Sequence, residues 1–205
     1  MKRTKILIAL AVMALLGMVG CKGNNTKTLV EYASDSLMME TGEDDFLDAI
    51  NIYLTELGGQ YAPGEVCIPS FTVTAVDESN NDETRVWGDW WVFNYNIVGD
   101  TLKCVSGGSH PGMMTLKQDD ASKWFVSAFD QVEDGHGNVA SAKRIFGQYY
   151  EAFHAANSDQ EARENVRLQM TANYVCAHGL KVKYLQDYGW PAVTLPLEER
   201  IASTN

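Results

Sequence analysis

Residues 85–98 read Arg-Val-Trp-Gly-Asp-Trp-Trp-Val-Phe-Asn-Tyr-Asn-Ile-Val. Aromatic and β-branched residues at this density favour extended backbone, and successive side chains of a strand point to opposite faces. Trp87, Asp89, Trp91, Phe93 and Tyr95 therefore share one face, while Trp90, Val92 and Asn94 share the other. Such a strand commits the chain to a sheet, and its neighbours supply the rest. Phe71, Val73 and Ala75 alternate with Thr72 and Thr74. Residues 102–105 and 113–117 flank a glycine-rich interruption, and residues 123–132 follow a turn at Asp119–Asp120. The turn at residues 77–83 and the Gly99–Asp100 turn give hairpin spacing, so the four runs predict an antiparallel meander.

Helical periodicity brackets this region. Phe46, Leu47, Ile50, Tyr53, Leu54 and Leu57 recur at three and four residues. Acidic residues lie at the positive end of that helix and Gly58–Gly59 stops it. A second helix is expected over residues 139–157, with Ala142, Ile145, Phe146, Tyr149 and Phe153 on one face. Ser158 and Glu161 form a capping box that opens a third, and Gly179 ends it. Leu180, Val182 and Tyr184 then alternate like a strand. Residues 186–191, with Tyr188 and Trp190, are expected as a docked loop: a plug over the core, or alternatively a surface for a partner or a sugar.

Helix followed by four-stranded meander resembles the cystatin-like and NTF2-like α+β folds, in element order and turn placement over residues 45–132. The resemblance implies a helix packed on a curved antiparallel four-stranded sheet, followed by two C-terminal helices and a short tail. In such folds a pocket lies inside the curved sheet.

The beginning of the chain speaks to location. Lys2, Arg3 and Lys5 precede an apolar run over residues 6–19, and Gly20 precedes Cys21. This pattern is that of a secretory signal peptide; fourteen residues is short for a membrane-spanning helix. Val19-Gly20-Cys21 resembles the lipobox of bacterial lipoproteins, with Met18 where that box usually has Leu. The resemblance, to Bacteroidetes-type lipoproteins, implies cleavage after Gly20 and lipidation of Cys21. Residues 1–20 are then the signal, 21–40 the lipidated tether and 41–205 a single α+β domain. The formal charge of −11 becomes about −14 without the three cations of the signal. A body this acidic is repelled by phosphate backbones and by anionic lipid. Nucleic acid is therefore not expected as a partner, and attachment to the membrane rests on the acyl chains at Cys21. Lys22 after the cysteine resembles lipoproteins sent to the outer membrane.

An exported chain permits disulfides. Cys67 and Cys104 fall in strand-like segments and are the expected pair, the alternative being that these thiols and Cys176 are small buried hydrophobes. No C-x-x-C spacing and no His pair at helical spacing indicates a metal site, so no cofactor is expected. The acidic stretch 77–83 superficially resembles a calcium loop but lacks Gly at the sixth place and reads as a hairpin tip.

Two positions carry catalytic potential. Asp89 is the single carboxylate on an apolar face, where burial would make it an acid or base; the alternative is a core face with Asp89 near solvent or paired with Arg85. His110 lies in Ser-Gly-Gly-Ser-His-Pro-Gly, a segment that either approaches a ligand closely or forms a bulge in the third strand. Trp87, Trp91, Phe93 and Tyr95 are the candidate ligand pocket. The expected function is an envelope-located, membrane-anchored binding or structural module. Its partner would be another envelope protein, a glycan or a small hydrophobic ligand. The alternative is an NTF2-like pocket enzyme using Asp89 and His110.

Overall fold

The computed structural model describes residues 46–197; the signal segment, Cys21 and the tether lie outside the described residues. Helix α1 (Phe46–Leu57) precedes five strands, β1 (Val66–Asn80), β2 (Glu83–Val98), β3 (Thr101–Ser109), β4 (Gly112–Gln118) and β5 (Trp124–Gln131). Helices α2 (Asn138–Phe146), α3 (Tyr150–Ser158) and α4 (Gln160–Ala177) follow, then β6 (Tyr184–Gln186) and β7 (Val193–Thr194). Among the described residues no helix is long and apolar enough to cross a membrane.

The strands form one seven-stranded mixed sheet, which corrects the expected four-stranded antiparallel sheet. Two physical causes account for the difference. The third run is broken at His110-Pro111, where proline lacks the N–H a ladder needs. Its halves pair with the same edge of β2: β3 with residues 91–98 and β4 with residues 84–88. That edge then carries two strands, and each recruits its own neighbour. On one side β5 pairs antiparallel with β4; on the other β6 runs parallel to β3, and β7 returns along β6. The helices are consequently not a C-terminal appendage, because the chain returns to the sheet after them.

β2 alternates as its sequence requires. Val86, Trp90 and Val92 join Phe71, Val73, Met114 and Leu116 in a core covered by α1 through Phe46, Leu47, Ile50 and Leu54. The opposite face carries Trp87, Asp89, Trp91, Phe93 and Tyr95, over which α2, α3 and α4 pack. Ile50 and Leu54 are fully buried, each worth about 1.5–3 kcal/mol relative to exposure. Asn94, on the α1 face, donates to the carbonyls of Gly58 (3.0 Å) and Ala62 (3.2 Å), capping the chain where α1 ends.

The helices differ in detail from expectation. The stretch 139–157 is not one helix: Gly147 stands at φ +50, open to glycine and costly for other residues, and splits α2 from α3. Asp159, not Ser158, caps α4, its Oδ1 accepting from Ala162 N at 3.0 Å. Gly179 (φ +61) does end α4, with Leu180 N bonded to Val175 O at 3.0 Å.

Candidate functional site

Asp89 is buried and fully engaged. Trp91 Nε1 and Asn157 Nδ2 each donate to Oδ2 at 2.9 Å, and Ser109 Oγ donates to Oδ1 at 3.0 Å. The carboxylate therefore fastens α3 and β3 to β2. Both oxygens are occupied, and it neither reaches solvent nor pairs with Arg85, which binds Glu83 instead.

His110 lies on the other face of the sheet. Its backbone N–H binds Trp90 O at 2.7 Å, continuing the ladder across the β3–β4 break. Its Nε2 is 2.8 Å from Tyr61 Oη and 3.4 Å from Gln60 Nε2, beside the end of α1. Burial pushes the imidazole below its ordinary pKa, against smaller opposing effects of Gln131 and Asp134. Nδ1 is buried without a hydrogen-bond partner among the described residues. The sheet thus separates Asp89 from His110, and the two do not form an acid/base pair.

The glycines before His110 have a local explanation. A Cβ on Gly108 would lie 2.1 Å from Tyr61 Oη, so the group approaching this backbone is the chain's own Tyr61. A register shift sits opposite Asn94 and Tyr95, between Cys104 and Ser106, the bulge that curved strands commonly carry.

The expected disulfide is absent, and register explains why. Cys67 pairs with Asn94 and Cys104 with Tyr95, adjacent β2 residues that point to opposite faces. Two strand spacings, roughly 9–10 Å, separate the cysteines, beyond the about 7 Å that a disulfide spans. Burial raises the pKa of both thiols. Cys176 is exposed on α4. The acidic stretch 77–83 is the β1–β2 hairpin, with Asp77 and Asn80 accepting from the N–H groups of Ser79 and Asp82.

The four aromatic residues of the candidate pocket part company. Trp87 donates to Ile145 O at 2.8 Å and packs on Tyr149, a purely internal role. Tyr95 is fully buried, its hydroxyl accepting from Arg167 Nε at 3.0 Å. Trp91 and Phe93 are half-buried and nearly parallel, 7° apart with centroids 5.7 Å distant. They floor a half-open cleft of about 160 Å³ between the sheet and α4, bounded by Ser70, Gln160, Arg163, Glu164 and Arg167.

Arg167 organises this region and carries no signal in the sequence. It is nearly buried, with its guanidinium 3.9 Å from the Phe93 ring centre. It holds Asp187 through two hydrogen bonds (2.6 and 2.9 Å) and Glu164 through a third (3.2 Å). That fork holds the Asp187 carboxyl below the usual carboxylate range. Burial opposes the charge on Arg167, but Asp187 and Tyr95 outweigh it and raise its pKa further. Arg163, one turn earlier, lies 5.4 Å from the Trp91 ring centre, and its Nε is buried without a hydrogen-bond partner among the described residues.

Asp187 opens a turn. Trp190 N–H binds Asp187 O at 3.1 Å, Gln186 Nε2 donates to Trp190 O at 3.0 Å, and Gly189 sits at φ +79. This is the third-position glycine of a type II turn. Its aromatic residues do not plug the core: Tyr188 is 96 % and Trp190 72 % exposed. The clamp to Arg167, itself part of the cleft lining, thus fixes the start of an aromatic turn whose rings stand in solvent. The chain matches no family model, no curated protein and no solved structure.

Proposed function

We propose that this protein is a lipid-anchored binding module of the cell envelope, held by Cys21 and working without catalysis through the face formed by the cleft and the 187–190 turn. The observation that carries this reading is the exposure of Tyr188 and Trp190 on a turn braced from below by a nearly buried arginine. Exposed aromatic side chains on a rigid base are the usual anchors of recognition. The cleft is smaller than the roughly 300–1,000 Å³ of small-molecule sites. It therefore suits one ring or side chain of a larger partner. The Asp89/His110 enzyme lacks support, since its two groups lie across the sheet from one another. The sequence over residues 1–21 supports export and anchoring, and the acidic body supports attachment by acyl chains rather than by charge.

Two measurements test this. Labelled palmitate should enter the protein in cells and be lost in Cys21→Ser. A photo-crosslinking residue at position 188 should capture a partner in intact cells, whereas one at Ile52, exposed on α1, should not. Equal capture at both positions, or none at 188, contradicts the reading.

A further inference from the structure

Of the four histidines, His136, His154 and His178 are exposed and His110 is buried. Its ring meets a short turn after α1 that is fixed at both ends. Asn94 Nδ2 donates to the carbonyls of Gly58 (3.0 Å) and Ala62 (3.2 Å), and Ser106 Oγ donates to Ala62 O (2.5 Å). Between these points Tyr61 N–H bonds Gly58 O at 3.2 Å. The Tyr61 side chain reaches back over β3, so close to Gly108 that a Cβ there would collide with the hydroxyl. Its Oη then meets His110 Nε2 at 2.8 Å. The phenol is a lid on the glycine, and the imidazole is what fastens it.

That fastening is sensitive to one proton. A neutral imidazole carries a single N–H; with it on Nε2, Tyr61 Oη accepts and Nδ1 keeps only a bare lone pair. An imidazolium carries N–H on both nitrogens. Nδ1 would then be a donor, buried and without a hydrogen-bond partner among the described residues, and an orphaned buried donor bears the full desolvation cost. Facing the ring are Tyr61 and the Gln60 amide, 3.4 Å from Nε2, at the end of α1. Gln131 at the end of β5 and Asp134 in the following loop face it too; they favour the cation, and burial disfavours it more. Burial and Asp134 push the Tyr61 pKa upward, so the phenol stays neutral. We infer that His110 and Tyr61 form an acid-opened latch: on protonation the imidazole turns toward Gln131 and Asp134, and Tyr61 swings off Gly108 while Asn94 keeps both ends of the turn in place. The open imidazole titrates near its ordinary value of about 6.5 and the closed one lower. The closed form is therefore fully favoured above about pH 6.5 and loses ground as pH falls toward the closed-state value, by at most about tenfold per unit for one proton. The latch lies across the sheet from the Trp91–Phe93 cleft and stands whether or not the 187–190 turn binds a partner.

The test is hydrogen exchange of the full lipidated chain in mild detergent between about pH 5 and 8, with the intrinsic exchange rate divided out. Protection over residues 58–62 should fall below about pH 6.5, by no more than about tenfold per unit, and then level off, while α1 and β2 keep theirs. His110→Gln, which offers Tyr61 an amide but does not titrate, should remove the pH dependence. Tyr61→Phe should lower protection of the same residues already at about pH 8. Asp134 is exposed, so Asp134→Asn serves as a second variant should His110→Gln fold poorly. It removes an anion that favours the closed imidazolium and should lower the pH at which the fall levels off. Protection that stays flat across the range overturns the latch. So does a fall that survives in His110→Gln, a fall shared equally by α1 and β2, or an Asp134→Asn curve that superimposes on the parent's.

Discussion

Arg167 is the residue on which the candidate site depends, and truncating it to alanine exposes the cost term by term. Its side chain is 6 % exposed, so what it leaves behind stays largely dry. The Tyr95 hydroxyl, fully buried, loses its donor partner at 3.0 Å; a buried polar group so orphaned costs about 1–3 kcal/mol. The void over the Phe93 ring, where the guanidinium sits at 3.9 Å, removes packing and a cation–π contact worth about 0.5–2 kcal/mol. Asp187 is 38 % exposed, so water re-solvates it and its share is small. The expected loss is about 2–5 kcal/mol, measured by urea unfolding. A double-mutant cycle with Tyr95→Phe isolates the shared hydrogen bond. Phenylalanine removes the orphaned hydroxyl, so the combined variant should be less destabilised than the sum of the singles by about 1–2 kcal/mol. A loss below about 0.5 kcal/mol for Arg167→Ala, or strict additivity with Tyr95→Phe, would refute the reasoning.

Other consequences are as direct. Native protein should react with a thiol-alkylating reagent fastest at Cys176 without reductant, with the half-buried Cys67 and Cys104 reacting more slowly until the chain unfolds; mass spectrometry showing a Cys67–Cys104 bond would contradict the register. Because Asp187 is depressed in the folded state, its clamp should stabilise the fold fully above the unfolded pKa of about 3.9 and be lost as pH falls below it. Asp187→Asn should therefore flatten the acid limb of the stability curve, read from thermal midpoints between about pH 2 and 5. Gly108→Ala should displace Tyr61 from His110 and cost about 1–3 kcal/mol in urea unfolding, and an unchanged midpoint would show that Tyr61 moves freely.

The faces of β2 and the helix over residues 46–57 were legible because each repeats one period with a distinct residue set on each side. The extent of the sheet was not. Leu102 to Val105 and Met113 to Lys117 look like one interrupted run, and only the pairing of both halves with one edge of β2 turns them into separate strands with separate neighbours. The alternation at 180–184 signals a strand, but β6 begins only at Tyr184 and runs to Gln186, and the two-residue β7 is too short to show any pattern. Gly147 marks a helix break that periodicity alone reads through. Parity misled the disulfide assignment: strand-like surroundings place two cysteines in one sheet but do not tell whether their side chains share a face. For the site, Trp91 and Phe93 were legible as members of an aromatic row. Their separation from Trp87 and Tyr95 depends on which helix covers each position. Arg167 and Asp187 lie twenty residues apart with a helix end between them, and no spacing rule joins such a pair. At the 187–190 turn the plug alternative fails for a general reason, since aromatic residues are most often buried. Here the exposure is imposed by the clamp beneath.

The central claim is that recognition occurs at the 187–190 turn, and tryptophan itself reports on it. With all five tryptophans carrying 5-fluoro labels and the Trp190 signal assigned from Trp190→Phe, detergent-solubilised cell envelope should shift or broaden the resonance of Trp190. Trp91 should follow to a lesser degree, and the buried Trp90 should stay unchanged. A Trp190 resonance indifferent to envelope material at saturating concentration, or a response confined to Trp124 on the α1 side of the sheet, would contradict the account.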